Sequence, residues 1–286
     1  MIILTHRGLE PNGEKFFPES SYEAFKNHIE RGFGLEFDPN FTKDGIIVFH
    51  DASLKRITDN KDVRLFSEVN TGEILKFKYG DKIDGRIPKF SEVLELIEKS
   101  NVELHALHLK GINQTKEKVD RLITEILEFP SVINKLLIFD VKSEIAEYIK
   151  SKIPEIKLAP SVAHEYDIKR YGSLIGNTLL SINQSKEYKK LYDWVWLDEW
   201  DTLKEDGSDK KFYTKENFDI LRKEGYNIAL VTPELHGTSP GLLGGESHSD
   251  AGNKEKLFER IKEIIALKPD AICTDYPFEV LELVNN

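Results

Sequence analysis

Residues 34–51 read GLEFDPNFTKDGIIVFHD, and the spacing within them decides the fold. The apolar run 46–49 follows the strand before it with only Thr42, Lys43, Asp44 and Gly45 between. A parallel crossover needs about a dozen residues or more, so this pair must turn back as an antiparallel hairpin. With the turn centred on Asp44, residue 50 falls opposite residue 38, which returns His50 to the level of Asp38. The remaining runs are spaced differently. Short apolar stretches at 2–5, 34–38, 104–109, 136–139, 156–160, 194–197, 227–231 and 271–274 alternate with longer segments of helical spacing. Helices are expected near 89–99, 113–128, 143–151, 214–224, 254–267 and 277–284. Another follows the cap at Pro18-Glu19-Ser20-Ser21, with Tyr22, Phe25 and Ile29 on one face and Gly32 as its stop. Eight strands alternating with helices predict an α/β fold, a (β/α)8 TIM barrel. The hairpin lies outside that count. Residues 51–88, rich in Lys, Asp and Gly, read as a small insertion after the second strand. No repeat or compositional break divides the chain, so residues 1–286 are expected to form a single barrel domain.

Length and composition agree. The chain has 286 residues, 40% of them hydrophobic and 31% charged, which suits one large core and argues against disorder. With 50 acidic and 40 basic residues the net charge is −10, so a nucleic-acid partner is not expected. An anionic substrate would need a local group of cations, either a metal or a few Lys and Arg. The one cysteine, Cys273, cannot form an internal disulfide and suits a reducing compartment. No apolar run approaches the ~18 residues of a spanning helix, and no basic-then-apolar leader opens the sequence. The expectation is a cytoplasmic protein without stable membrane insertion.

Active sites of such barrels gather at the carboxyl ends of the strands. The first strand delivers His6 and Arg7, the second Glu36 and Asp38, the hairpin return His50 and Asp51, and the third His108 and Lys110. Glu36 and Asp38 lie two apart, so in a strand both face one side with Cβ atoms roughly 7 Å apart. Two inward carboxylates repel unless protonated, hydrogen-bonded or neutralised, and a hard divalent cation is the natural remedy. On the third strand Leu107 and Leu109 belong against the helices, which turns Ala106, His108 and Lys110 inward. Lys110 there suits a phosphate oxygen. His108 suits a metal, a substrate oxygen or a neighbouring carbonyl, and the residue pattern leaves these open. His105 points the other way, as a structural residue. His6 and His50 are the acid–base candidates, since imidazole titrates nearest neutral pH.

In order along the chain, His6-Arg7-Gly8, Pro18-Glu19-Ser20, Glu36-Phe37-Asp38, Asp44-Gly45 and Val48-Phe49-His50-Asp51, with Leu54, Arg56 and Thr58, form a specific set. Ile87-Pro88, Val93-Leu94 and Thr274-Asp275-Tyr276-Pro277 extend it. This sequence resembles the glycerophosphodiester phosphodiesterase family. The resemblance implies a (β/α)8 barrel that hydrolyses glycerophosphodiesters to glycerol 3-phosphate and an alcohol, assisted by a divalent metal (Mg, Ca or Mn). By position it implies His6 and His50 as the acid–base pair, Arg7 and Lys110 on phosphate oxygens, Glu36 and Asp38 as metal ligands, and Glu19 as a polar residue near the substrate. The partner is then a small-molecule phosphodiester.

Two departures follow. The family usually has Glu two residues before the strand-three Lys, as a metal ligand, where this chain has His108. An imidazole there removes one negative charge and softens the site toward Mn or Zn. The family also tends to end its seventh strand in Trp-Thr, where this chain reads Val231-Thr232, followed by Glu234 and His236 as possible site contacts and a Gly-rich stretch at 237–253. Asp198 and Glu199, at the end of the sixth strand, either touch a polyol or cap the next helix. Two other activities stay open: a non-catalytic barrel that binds a phosphorylated polyol, and a phospholipase D-like enzyme whose substrate hydroxyl attacks phosphorus to give a cyclic phosphate.

Overall fold

A computed structural model describes residues 1–11, 17–58, 60–77, 79, 85–233 and 253–285. The chain begins with β1 (Ile2–His6), α1 (Tyr22–Glu30) and β2 (Gly34–Phe37), followed by the hairpin β3 (Pro39–Phe41) and β4 (Ile46–Val48). A short α2 (Thr71–Ile74) lies in the insertion. Then come α3 (Phe90–Lys99), β5 (His105–His108), α4 (Lys116–Leu127), β6 (Leu136–Phe139) and α5 (Ser143–Lys152). Next are β7 (Lys157–Leu158), β8 (Ser161–Ala163), α6 (Glu165–Tyr171), β9 (Leu179–Leu180) and α7 (Ile182–Glu187). The chain closes with β10 (Trp194–Asp198), α8 (Lys215–Lys223), β11 (Asn227–Val231), α9 (Lys254–Ala266), β12 (Ala271–Thr274) and α10 (Pro277–Asn285).

Ten of these strands pair in parallel in the order β7-β6-β5-β2-β1-β12-β11-β10-β8-β9. Strands β7 and β8 are two parts of one stretch, and that stretch closes the barrel. Its first part pairs with β6 and its second with β10. At the junction Ala159 N–H donates to Ile138 O, while Pro160 O accepts from Trp196 N–H. Pro160 has no N–H to give to a ladder, which accounts for the break between the two parts. The eight expected strands are therefore present, the fifth split in two. Strand β9 is an addition that two residues of sequence could not signal. Helices α6 and α7 are likewise too short to carry a periodic pattern.

Alternation along the strands separates two apolar layers. Leu4, Leu104, Ala106, Leu137, Phe139, Ala159, Trp194, Trp196, Ala229, Ala271 and Cys273 fill the barrel. Leu35, Phe37, Leu107, Leu109, Val195 and Ile272 face the helices. The expected split between Ala106 and the pair Leu107 and Leu109 is thus present. His105 is buried: its Nδ1 accepts from Leu35 N–H at 3.2 Å and its Nε2 lies 3.1 Å from Ser100 Oγ. A third apolar cluster, Ile47, Phe49, Leu54, Phe66, Val69, Ile74 and Ile87, joins the hairpin to the described part of the insertion.

The hairpin register corrects one expectation. Pro39 pairs with Val48, Asn40 with Ile47 and Phe41 with Ile46, so residue 49, not residue 50, opposes Asp38. Thr42 and Gly45 already face each other through Thr42 N–H to Gly45 O at 2.9 Å. The turn is therefore the two residues Lys43 and Asp44, centred half a residue before Asp44. Asp44 Oδ1 fixes it by accepting from Thr71 N–H and Thr71 Oγ1–H at 2.7 and 2.8 Å.

Candidate active site

The carboxyl ends of the strands surround a cavity of about 1040 Å³. His6, Arg7, Glu36, His50, His108 and Lys110 line it, so six of the eight expected site residues share one wall system. Register explains the gathering: His6 sits beside Glu36, Glu36 beside Ala106, and His108 beside Phe139. Arg7 takes a left-handed turn, φ 54°, directly after β1. Its N–H lies 3.2 Å from both Glu36 O and Glu36 Oε2.

Asp38 and Glu19 are placed differently. Neither is among the lining residues. Asp38 is fully buried behind the wall, with Lys110 Nζ 3.1 Å and His108 Nδ1 3.0 Å from its Oδ1, and Arg7 Nε 3.8 Å from its Oδ2. Glu19 lies behind the arginines, pairing with Arg56 and 3.7 Å from Arg7. Its position suits holding Arg7 and Arg56, not touching a substrate in the cavity.

The charges are arranged to oppose one another. Burial raises the Glu36 carboxyl above its ordinary range, and the neighbouring Asp38 charge raises it further. Burial acts the same way on Asp38, but Lys110, His50 and His108 outweigh it and hold that carboxyl well below its usual range. Burial depresses Lys110. His50 is pushed well below the ordinary histidine value by burial, with Arg7 and Lys110 adding to the effect, which favours the uncharged ring. Its Nδ1 lies 3.0 Å from Asp51 Oδ1, and Asp51 in turn accepts from Arg56 Nε at 2.7 Å.

His108 stands between two carboxylates, its Nδ1 on Asp38 and its Nε2 3.4 Å from Asp140 Oδ2. Burial opposes its charge, yet Asp140 and Asp38 raise it to about 9. Its ring stacks on Phe139 at 4.6 Å, and Phe139 stacks on Trp196 at 3.8 Å. Trp194 is thus interior packing, Trp196 packs inside the barrel and also lines the cavity, and Trp200 lines the cavity.

One atom each from Glu36, Asp38 and His108 can be chosen so that all lie within 4.8 Å of one another. Two carboxylates and an imidazole form a donor set that a divalent cation accepts. Asp38 Oδ2 is buried without a hydrogen bond among the described residues, a further sign that the set can take a cation.

Three acids take positions to which the sequence assigns no role. Asp275, one residue past β12, holds His6 Nδ1 at 2.9 Å. Asp140, one residue past β6, lines the cavity. Asp51, one of the strand-end groups, links His50 to Arg56. Asp275 and Asp140 each follow a strand directly, which is the available signal, and Asp51 lies three residues past β4. Asp198 also lines the cavity, where burial and then Asp140 raise its carboxyl to about 7. Glu199 lines the cavity too, but its carboxylate is taken up by Phe212 N–H, Tyr213 N–H and Arg260. Glu234, His236 and residues 237–252 lie outside the described residues.

Residues 6–279 match the glycerophosphoryl diester phosphodiesterase family. Several solved structures share the fold. A Galdieria sulphuraria protein provisionally named a glycerophosphodiester phosphodiesterase is 18% identical, with a TM-score of 0.68 over 100% of this chain and 98% of its own. A Parabacteroides distasonis glycerophosphoryl diester phosphodiesterase is 20% identical, with a TM-score of 0.64 over 99% and 86%. An Oleispira antarctica phosphodiesterase in complex with the product sn-glycerol-3-phosphate is 16% identical, with a TM-score of 0.66 over 100% and 97%. No curated protein matches the chain in sequence. Among the described residues no helix is long and apolar enough to cross a membrane.

Proposed function

The chain belongs to the glycerophosphoryl diester phosphodiesterase family, whose members hydrolyse phosphodiesters, and from that premise we propose that it cleaves glycerophosphodiesters to glycerol 3-phosphate and an alcohol with His6 and His50 as the acid–base pair. One observation carries the proposal: both imidazoles line the cavity that also receives Arg7, Lys110 and Glu36. The product bound by the Oleispira antarctica protein supports the same substrate class. We place all of this in a single domain, residues 1–286.

Arg7 and Lys110 bind the phosphate oxygens and orient phosphorus. His50, whose burial favours the uncharged ring, accepts the proton from the attacking water. A new P–O bond forms as the bond to the alcohol oxygen breaks. His6, backed by the buried Asp275 carboxylate, delivers the proton to that leaving oxygen. Glu36, Asp38 and His108 would hold a divalent cation, whose chemistry is Lewis-acid withdrawal of charge from a phosphoryl oxygen. Glu19 keeps Arg7 and Arg56 in place from behind.

The test is a substrate and metal panel. Glycerophosphocholine, glycerophosphoethanolamine and glycerophosphoglycerol are each incubated with Mg, Ca or Mn, and glycerol 3-phosphate is assayed enzymatically. Release that depends on an added metal supports the proposal. Ligand uptake without turnover under every condition overturns it in favour of a polyol-phosphate-binding barrel.

A further inference from the structure

We propose that Asp140 is a positioning residue that fixes the His108 ring for metal binding, the place taken in the resembled family by a strand-three carboxylate. The inference rests on the metal reading of Glu36, Asp38 and His108 given above.

Three features of the chain lead to it. First, Asp140 reaches the far edge of the ring: its Oδ2 is 3.4 Å from His108 Nε2, while Nδ1 faces Asp38 in the ligand cluster. A histidine that ligates through one nitrogen is usually oriented by a carboxylate or carbonyl on the other.

Second, the backbone departs from strand geometry to allow it. Successive side chains of a strand point to opposite faces. Yet Phe139 and Asp140, consecutive in sequence, both meet His108, one on its face and one on its edge. Asp140 does so with φ 64°, a left-handed conformation that non-glycine residues seldom adopt. Strain of this kind persists where the surroundings demand it, and it clusters at functional sites.

Third, Asp140 is buried, 3% exposed, and its Oδ1 has no hydrogen-bond partner among the described residues. A carboxylate kept at that cost needs a function beyond packing. Fixing an imidazole that must present Nδ1 toward Glu36 and Asp38 supplies one. An acid in place of His108 would need no such support, because either carboxylate oxygen could ligate.

The experiment is Mn²⁺ binding to the full-length protein, followed by electron paramagnetic resonance at one pH. Asp140→Asn tolerates the left-handed backbone and retains a weaker acceptor; Asp140→Gly retains the backbone and removes the group. Affinity is expected to fall roughly 10–100-fold in these variants, more in the Gly form. In a His108→Glu background the Asp140→Asn change is expected to leave affinity unchanged or tighter, since no ring remains to orient. Equal affinity in wild type and both variants would overturn the positioning role while leaving the metal reading intact. Equal weakening in both backgrounds would also overturn it, by showing that Asp140 acts as a bare charge. If wild type fails to bind Mn²⁺, or Asp38→Asn binds as tightly as wild type, the metal reading fails and the inference with it.

Discussion

His6 and Asp275 share a hydrogen bond of 2.9 Å across a separation of 269 residues, joining the end of the first strand to the end of the last. The parallel pairing of Thr5 with Thr274 brings them together, and both are buried. A carboxylate on Nδ1 fixes the tautomer that leaves Nε2 to exchange a proton in the cavity, and stabilises the ring when charged. Asp275→Asn keeps the shape and removes that charge. We expect kcat to fall by about two orders of magnitude or more, with KM changed only a few-fold. A steady-state profile in which KM rises and kcat holds would place Asp275 outside this role.

His105 gives the fold an acid limit. Burial holds its imidazole down to about 3, with Lys135 adding to the effect, against an ordinary value of 6.5. The unfolded chain therefore binds more protons at this residue below pH 6.5. The stability involved is fully present above 6.5 and is lost as pH falls toward 3. At pH 4.5 the loss is on the order of 2–3 kcal/mol. His105→Gln can retain an acceptor for Leu35 N–H but does not titrate. Urea denaturation at a series of pH values should show lower stability at pH 7 and a shallower decline to pH 4.5. Parallel curves for the two proteins would contradict this.

Gly34 is required by the closeness of three strands. A Cβ there would meet Leu104 O at 2.4 Å and Leu4 Cδ2 at 2.5 Å, the first of them backbone of the residue leading into β5. Gly34→Ala should destabilise the protein by about 1–3 kcal/mol through overpacking. Gly72, in α2, is a contrast: apart from its chain neighbours and its own helix backbone, no atom of the described residues lies within 4 Å of an added Cβ. Gly72→Ala should be neutral or stabilising by up to ~1 kcal/mol. Thermal denaturation of the two variants should separate them in sign.

The barrel was legible because its strands are short apolar runs separated by helices with clear faces, and because residues 46–49 followed too closely to be a crossover. His6, Glu36, His50, His108 and Lys110 were legible as strand-end polar groups. Asp275 was not assigned, since its partner lies at the opposite end of the chain and only barrel closure joins them. Asp140 was hidden for a different reason: its left-handed backbone turns it toward His108, against the alternation that sequence reading assumes. The hairpin slipped by one residue because a two-residue turn and a turn centred on Asp44 differ by less than spacing resolves. Glu19 carries the family motif but faces two arginines, and no sequence pattern distinguishes a residue on a cavity wall from one just behind it.

The central claim is that His6 and His50 move the protons of phosphodiester cleavage. Phosphorus NMR of glycerophosphocholine with metal-loaded protein reads it most directly, since diester, cyclic phosphate and glycerol 3-phosphate give separate signals. Wild type should convert the diester to glycerol 3-phosphate, and the folded His6→Ala, His50→Ala double variant should leave it unchanged over the same period. Conversion at the same rate by the double variant would contradict the account, and a cyclic phosphate as the end product would replace water with a substrate hydroxyl as the nucleophile.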